Sequence, residues 1–330
     1  MNTTGEDSTL DLRNLGKILV MKRLIALCCC LLLTTLSFAA PLASNAKTAI
    51  PSDVQQIISV DYRALRNSDS GMALKAKILP DNLKQFENAL KDMSIDPDSD
   101  VEGLSFVMFR AGTQLRSVGF ATGDFQVKKF LAKQKANKTK PEKYRTAYLY
   151  PAGSGMLMTF LDDTTMLFGD TQAVHNALDA RDGESPSVTS NADITGLISS
   201  VEDSAAIWSV LDSVGTQNML RSAMGDAAKL ADYDVVKKRL TGSYYTVDFT
   251  HGVSLDLTVA TGDPMAAATL SSLLKAGLML KKMGSSPVEQ TAIDATTVDS
   301  DSGKLMIHFK ADDNRFQSLL QSDLFKAISK

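Results

Sequence analysis

Apolar and polar residues alternate along Val253, Leu255, Leu257 and Val259 against Ser254, Asp256 and Thr258. That period of two describes a strand with one buried and one wet face. The same reading gives strands over Val54 to Leu65, two around Ala111-Gly112-Thr113 within Gly103 to Ala121, and others at Thr146 to Tyr150, Met156 to Leu161 and Thr165 to Phe168. In the second half it gives Ala206 to Val210, Tyr244 to Phe249 ahead of the His251-Gly252 turn, and a last hairpin turning at Asp299 to Gly303. Helical spacing appears between them. It covers Met72 to Leu79, Leu83 to Leu90 behind Asp81, a Val127, Phe130, Leu131 stripe behind Asp124, and Val174, Ala177, Leu178 behind Asp170. It continues through Met219 and Leu230, from Pro264 to about Lys281 behind Asp263, and along Phe316, Leu319, Leu320 and Leu324. Aspartate before a helix is a capping signal.

The string Ala-Thr-Gly-Asp occurs at Ala121–Asp124 and again 139 residues later at Ala260–Asp263. At that offset Phe106 meets Tyr245, Val118 meets Leu257 and Phe120 meets Val259, so apolar positions match over about twenty residues, the signature of an internal repeat. Short turns join consecutive strands, which makes them antiparallel. The expected class is α+β, as two tandem copies of an antiparallel sheet covered by helices on one face. The copies span residues 47–182 and 192–330. Residues 183–191, with Gly183, Pro186 and no apolar period, read as a linker between separately packed bodies.

The first residues stand outside this pattern. Met21-Lys22-Arg23 precedes an uncharged run from Leu24 to Phe38 and then small residues, the layout of a secretory signal peptide over 21–46. These fifteen uncharged residues fall short of the roughly 20 that a spanning helix needs. Ser37-Phe38-Ala39 and Ser44-Asn45-Ala46 both suit cleavage, and residues 1–20 read as a non-native or disordered extension with translation starting at Met21. Cys28, Cys29 and Cys30 all lie in the signal, so the mature chain would be cysteine-free, without disulfide, thiol or zinc-thiolate chemistry. Its net charge would be −4, against −3 for the whole chain, which gives no general attraction to nucleic acid.

Candidate chemistry is sparse. His175 sits one position off its helix stripe and is expected to face solvent, His251 is in a turn, and His308 is on the wet side of its strand. No two share a helical turn, so no local metal site is expected. Asp96, Asp98, Asp100 and Glu102 resemble a calcium loop but carry Val101 and Val107 where glycine and glutamate are required. They read as a solvated turn. The densest charge is Lys128, Lys129, Lys133, Lys135, Lys138, Lys140, Lys143 and Arg145, opposed only by Glu142. It is a candidate patch for an anionic partner such as a phospholipid headgroup, a cell-wall polymer or an acidic protein, and equally the pattern of a soluble helix running into a lysine-rich loop. Met156, Met158, Met166, Met279, Met283 and Met306 suit either an adaptable apolar cavity or ordinary core filling.

Ile50-Pro51-Ser52-Asp53 before a strand, and Phe160 to Asp170 before Ala173-Val174 and Ala177-Leu178, resemble a family of bacterial exported proteins of unknown function, mainly over the first half. The resemblance implies export and no assigned reaction. The expectation is a non-catalytic, periplasmic or extracellular binding or scaffold protein of the bacterial envelope, with no cofactor and with an unknown protein or envelope component as partner. The alternative is a carrier of a lipid or other apolar ligand in a cavity between helices and sheet.

Overall fold

The structure, a computed structural model, describes residues 42–78, 87–88, 90–91, 94–153, 155–201, 205–224, 233–322 and 325. The chain forms α1 (Ser44–Ala49), β1 (Val54–Asp61), α2 (Tyr62–Arg66), α3 (Asp69–Ile78), β2 (Val101–Ala111), β3 (Gln114–Gly123), α4 (Val127–Ala136), β4 (Glu142–Tyr144), β5 (Ala147–Pro151), β6 (Met156–Asp162), β7 (Thr165–Asp170) and α5 (Thr171–Arg181). It continues with α6 (Ala192–Ser199), β8 (Ile207–Asp212), α7 (Ser213–Met224), β9 (Leu240–Asp248), β10 (Val253–Thr261), α8 (Pro264–Met283), α9 (Pro287–Asp294), β11 (Thr296–Asp301), β12 (Lys304–Ala311) and α10 (Asp313–Leu320). This is an α+β fold. The helix expected at Leu83 to Leu90 falls largely outside the described residues.

A local rule recurs at the strand ends: an aspartate accepts the free amide of the next helix. Asp61, Asp170, Asp212, Asp263 and Asp312 do so from Ala64, Ala173, Gly215, Met265 and Arg315, at 2.7 to 2.9 Å. Asp124 does not. The residue before α4 is Gln126, which makes no side-chain cap, and Leu131, expected in the buried stripe, is 42% exposed while Phe130 and Gln134 face the sheet.

The twelve described strands form one antiparallel sheet in the order β11-β12-β10-β9-β8-β1-β2-β3-β7-β6-β5-β4. Here the structure departs from the expectation of two separate sheets. Strands β1 and β8 pair directly, Ile57 with Val210 and Ser59 with Trp208, and the pairing satisfies backbone N–H and C=O groups that each strand would otherwise leave unmade along its edge. Residues 183–191 also pack: Val188 is buried, its amide bonds Ile50, and Ser52 bonds Pro186.

Following paired residues across the sheet separates its two faces. Ile57, Val107, Val118 and Leu167 lie on the front with Trp208 and Val210, under α1, α5 and α6. Ile58, Phe106, Met166 and Phe168 lie on the back with Val247, Leu257, Val259 and Leu305. The back is covered by α2, α3, α4 and α10 in the first half, and by α7 and α8 in the second. Helices therefore cover both faces rather than one, because most first-half strands are apolar on both sides. The front of β10, β12 and β11, carrying Asp256, Met306, His308, Lys310 and Asp299, is exposed and has no helix over it among the described residues.

The strand order β1-β2-β3-β7-β6 recurs as β8-β9-β10-β12-β11, with β4 and β5 additional. The gapless 139-residue offset does not carry the faces with it. Val118 and Phe120 are on the front, whereas Leu257 and Val259 are on the back. Ala121 pairs with Leu104 but Ala260 pairs with Gly242, so the match slips by one residue between the strands of the hairpin.

Candidate functional site

The lysine-rich segment is built on an aromatic anchor. Phe130 of α4 meets the rings of Tyr150 and Phe160 edge-on, with centroids 5.1 and 5.2 Å away, and this holds the helix on the back of β5 and β6. Phe130 and Gln134 occupy the inner side, leaving the outer sides to charge. Lys133 donates to Ser94 Oγ at 2.8 Å. Lys128, Lys129, Lys135, Lys138, Lys140 and Lys143 are exposed and form no ion pair among the described residues. Lys138 adopts φ +57°, turning the chain from α4 towards the outermost strand. In β4, Lys143 lies across from Tyr148, which is 53% exposed.

Arg145 and Glu142 leave the patch. Arg145, at φ +51°, pairs with Asp179 of α5 and, at 3.0 Å, with Glu184. The Asp179 hydrogen bond holds the Arg145 guanidinium pKa above its ordinary value. Tyr144 donates to the same carboxylate at 2.9 Å, and burial followed by Asp179 raises its phenol pKa. His175 does not face solvent as expected. Its ring stacks on Tyr144 at 3.6 Å with 6° between planes, meets Glu142 at 3.1 Å and has a side chain only 17% exposed. The addition of β4 beside α5 supplies these partners, and helical periodicity carries no record of them.

Elsewhere the polar groups serve structure. His308 meets Asp256 across the strand at 2.7 Å on the open front face, and His251 lies exposed in its turn. The histidine partners found are carboxylates, with no serine among them, so no serine, histidine, acid triad is assembled among the described residues. Asp96 caps a single turn by accepting from Asp98, as a solvated acidic turn would, and no three metal-ligating side chains cluster among the described residues. Trp208 is buried with Nε1 unpartnered among the described residues.

One polar cluster around the buried Tyr62 has no sequence signal. The Tyr62 hydroxyl, on a side chain 2% exposed, accepts from Lys75 and lies 3.3 Å from Glu87 Oε1, and Lys75 pairs with Glu87 at 2.8 Å. Burial raises the Tyr62 pKa against the lowering by Lys75. Lys75 rises too, since bonds to Glu87 and Tyr62 outweigh its desolvation. The four positions that meet here, including Asp98 at 3.5 Å, are separated by 11 to 13 residues, a spacing that marks no motif.

Two surface grooves lie among the described residues of the second half. One of about 310 Å³ lies between α9 and α10 over Phe309, with Val288, Ala292, Leu319, Asn314 and Arg315 around it. Another of about 450 Å³ runs between α8 and the edge strand β11, beside Leu278, Met279, Val298 and Asp299. Met158 and Met166 fill the back core, while Met279 and Met283 are 71% and 78% exposed.

No family model matches the chain, and no curated protein matches it in sequence. Among solved structures, crystal form I of TP0453 is 9% identical with a TM-score of 0.46, covering 87% of this chain and 98% of that one. Crystal form III is 8% identical with a TM-score of 0.45, covering 85% and 97%.

Proposed function

We propose that this chain is an exported, non-catalytic binding or scaffold protein that docks an anionic partner on the lysine surface of α4, residues 137–141 and β4. The observation that carries the reading is the contrast in pairing. Arg63, Arg110, Arg116, Arg145 and Arg181 each hold a carboxylate, whereas six exposed lysines crowd one edge of the sheet without one among the described residues. Unpaired like charges repel one another, and an anion relieves that repulsion. Export rests on the composition of residues 21–46. The test is binding to immobilised polyglutamate and to anionic against neutral vesicles. Lys128→Glu, Lys129→Glu, Lys135→Glu and Lys140→Glu together should reduce binding to the anionic probes at least tenfold. Equal binding by the variant, or none by the native chain, would sink the proposal.

One observation supports a second reading, the carrier of an apolar ligand. The groove over Phe309 is walled by Val288, Ala292 and Leu319, with Arg315 and Asn314 at hand, and its volume falls at the lower end of ligand sites. Native mass spectrometry of protein purified from its own host tests it. A co-purified small apolar ligand supports the reading, and an empty chain removes it.

A further inference from the structure

The sheet ends in two unlike edges, and their chemistry is complementary. At one end lies β4, which carries Lys143 and is preceded by Lys138 and Lys140. At the other lies β11, with Asp299 and Asp301 on its front side. We propose that the acidic partner of the lysine surface is the β11 edge of a second copy of this chain, so that copies add head to tail and continue the sheet. This rests on the reading of that surface as an anion-docking site.

Three observations carry it. First, every neighbouring pair in the twelve-strand order is antiparallel, so the two outermost strands run in opposite directions. A copy placed beside the first in the same orientation therefore sets β4 antiparallel to β11 and keeps each face continuous.

Second, charge selects the pairing. A short lysine-bearing strand is a common guard against edge-to-edge association. Here lysine opposes lysine if β4 meets another β4, and aspartate opposes aspartate if β11 meets another β11. Only the mixed pairing brings unlike charges together. Extending β4 by register sets Lys140 opposite Asp299 and Glu142 opposite Thr297, while Lys138, in the turn that leads into β4, stands beyond Lys140 on the side of Asp301. Within one copy Lys275 reaches Asp299 at 3.6 Å and Lys304 lies across from Asp301, but the Lys275–Asp299 pair is largely solvated and can exchange partners.

Third, exposed apolar side chains flank both edges on the same face. The helices α4 and α8 both lie on the back. Leu131 and Tyr148 are 42% and 53% exposed at the β4 end, and Met279 and Leu280 are 71% and 52% exposed on the helix over β11. Head-to-tail addition brings these two groups towards each other, covering surface that each copy alone leaves in water.

Sedimentation velocity of the purified protein from about 10 µM to about 1 mM tests the proposal, since a contact built on a three-residue strand is weak. The sedimentation coefficient should rise with concentration at low salt and fall back at about 0.5 M salt. Lys138→Glu with Lys140→Glu should abolish assembly, and so should Asp299→Lys with Asp301→Lys. A mixture of the two variants should assemble again, because each then presents an edge that fits the other, and this recovery also reports that both are folded. A monomeric native chain at every concentration would overturn the proposal, as would assembly indifferent to either charge swap or a mixture that fails to recover. Polyanion binding by a strictly monomeric chain would end this inference and leave the docking function standing.

Discussion

Single residues decide how tightly the sheet accepts its covering layers. Gly119 in β3 pairs with Phe168, and a Cβ there would lie 2.2 Å from the Phe168 ring, which packs edge-on against Phe106. Gly119→Ala should therefore cost about 1–3 kcal/mol by overpacking, measured by urea denaturation. The sequence records the glycine but not the ring beside it. Titration offers a second residue-scale prediction. Tyr62 and Lys75 both have raised pKa values in the folded chain. A raised folded value gives stability that is present below the unfolded pKa, about 10 for tyrosine and about 10.4 for lysine, and lost as pH rises through the folded one. Stability should accordingly fall above about pH 10, and Tyr62→Phe should flatten that fall. An unchanged alkaline limb in the variant would show that the cluster does not contribute.

Elements were legible where their signal is local. The aspartate caps at Asp170 and Asp263 and the alternation through Val253 to Val259 are short-range features, and the structure follows them. The helix α9 has an equally local signal, outside the apolar periodicity. Ser286 and Glu289 cap each other's ends of its first turn, with Pro287 at its start, a spacing that the sequence carries openly. Ser286→Ala should lower stability by about 1 kcal/mol in thermal melts. At the amino end, the signal peptide expected over 21–46 takes in Leu42 and the first half of α1, yet Leu42 and Ala46 are buried in the front core beside Ala49. The two candidate cuts thus differ in consequence. A chain starting at Lys47 loses Leu42 and Ala46 from that core and should be less stable by about 2 kcal/mol or more than one starting at Ala40, by chemical denaturation.

At the scale of the molecule, the pairing of β1 with β8 makes one object of two halves. Arg110 of the first half bonds Asp53 at 2.8 Å and Asp212 of the second at 2.7 Å. Ser70 bonds Asp313, and Phe316 and Leu320 of α10 share a core with Tyr62 and Leu65. Unfolding should therefore be a single transition. The fluorescence of Trp208, the one tryptophan, set on β8 at the junction, should change together with far-ultraviolet circular dichroism. Two separated transitions would mean that the halves unfold independently. The sequence by itself determined the class, most strands and helices, several caps and the composition of the lysine-rich segment, since each depends on neighbours within a few residues. Only the tertiary structure decided that the sheet is continuous, which face each strand buries, that Arg145 and His175 turn towards α5, and that a basic edge and an acidic edge stand at opposite ends. Those outcomes depend on which distant strands pair, and the hydrophobic effect that drives pairing is non-directional, leaving no trace of the chosen partner in the local pattern.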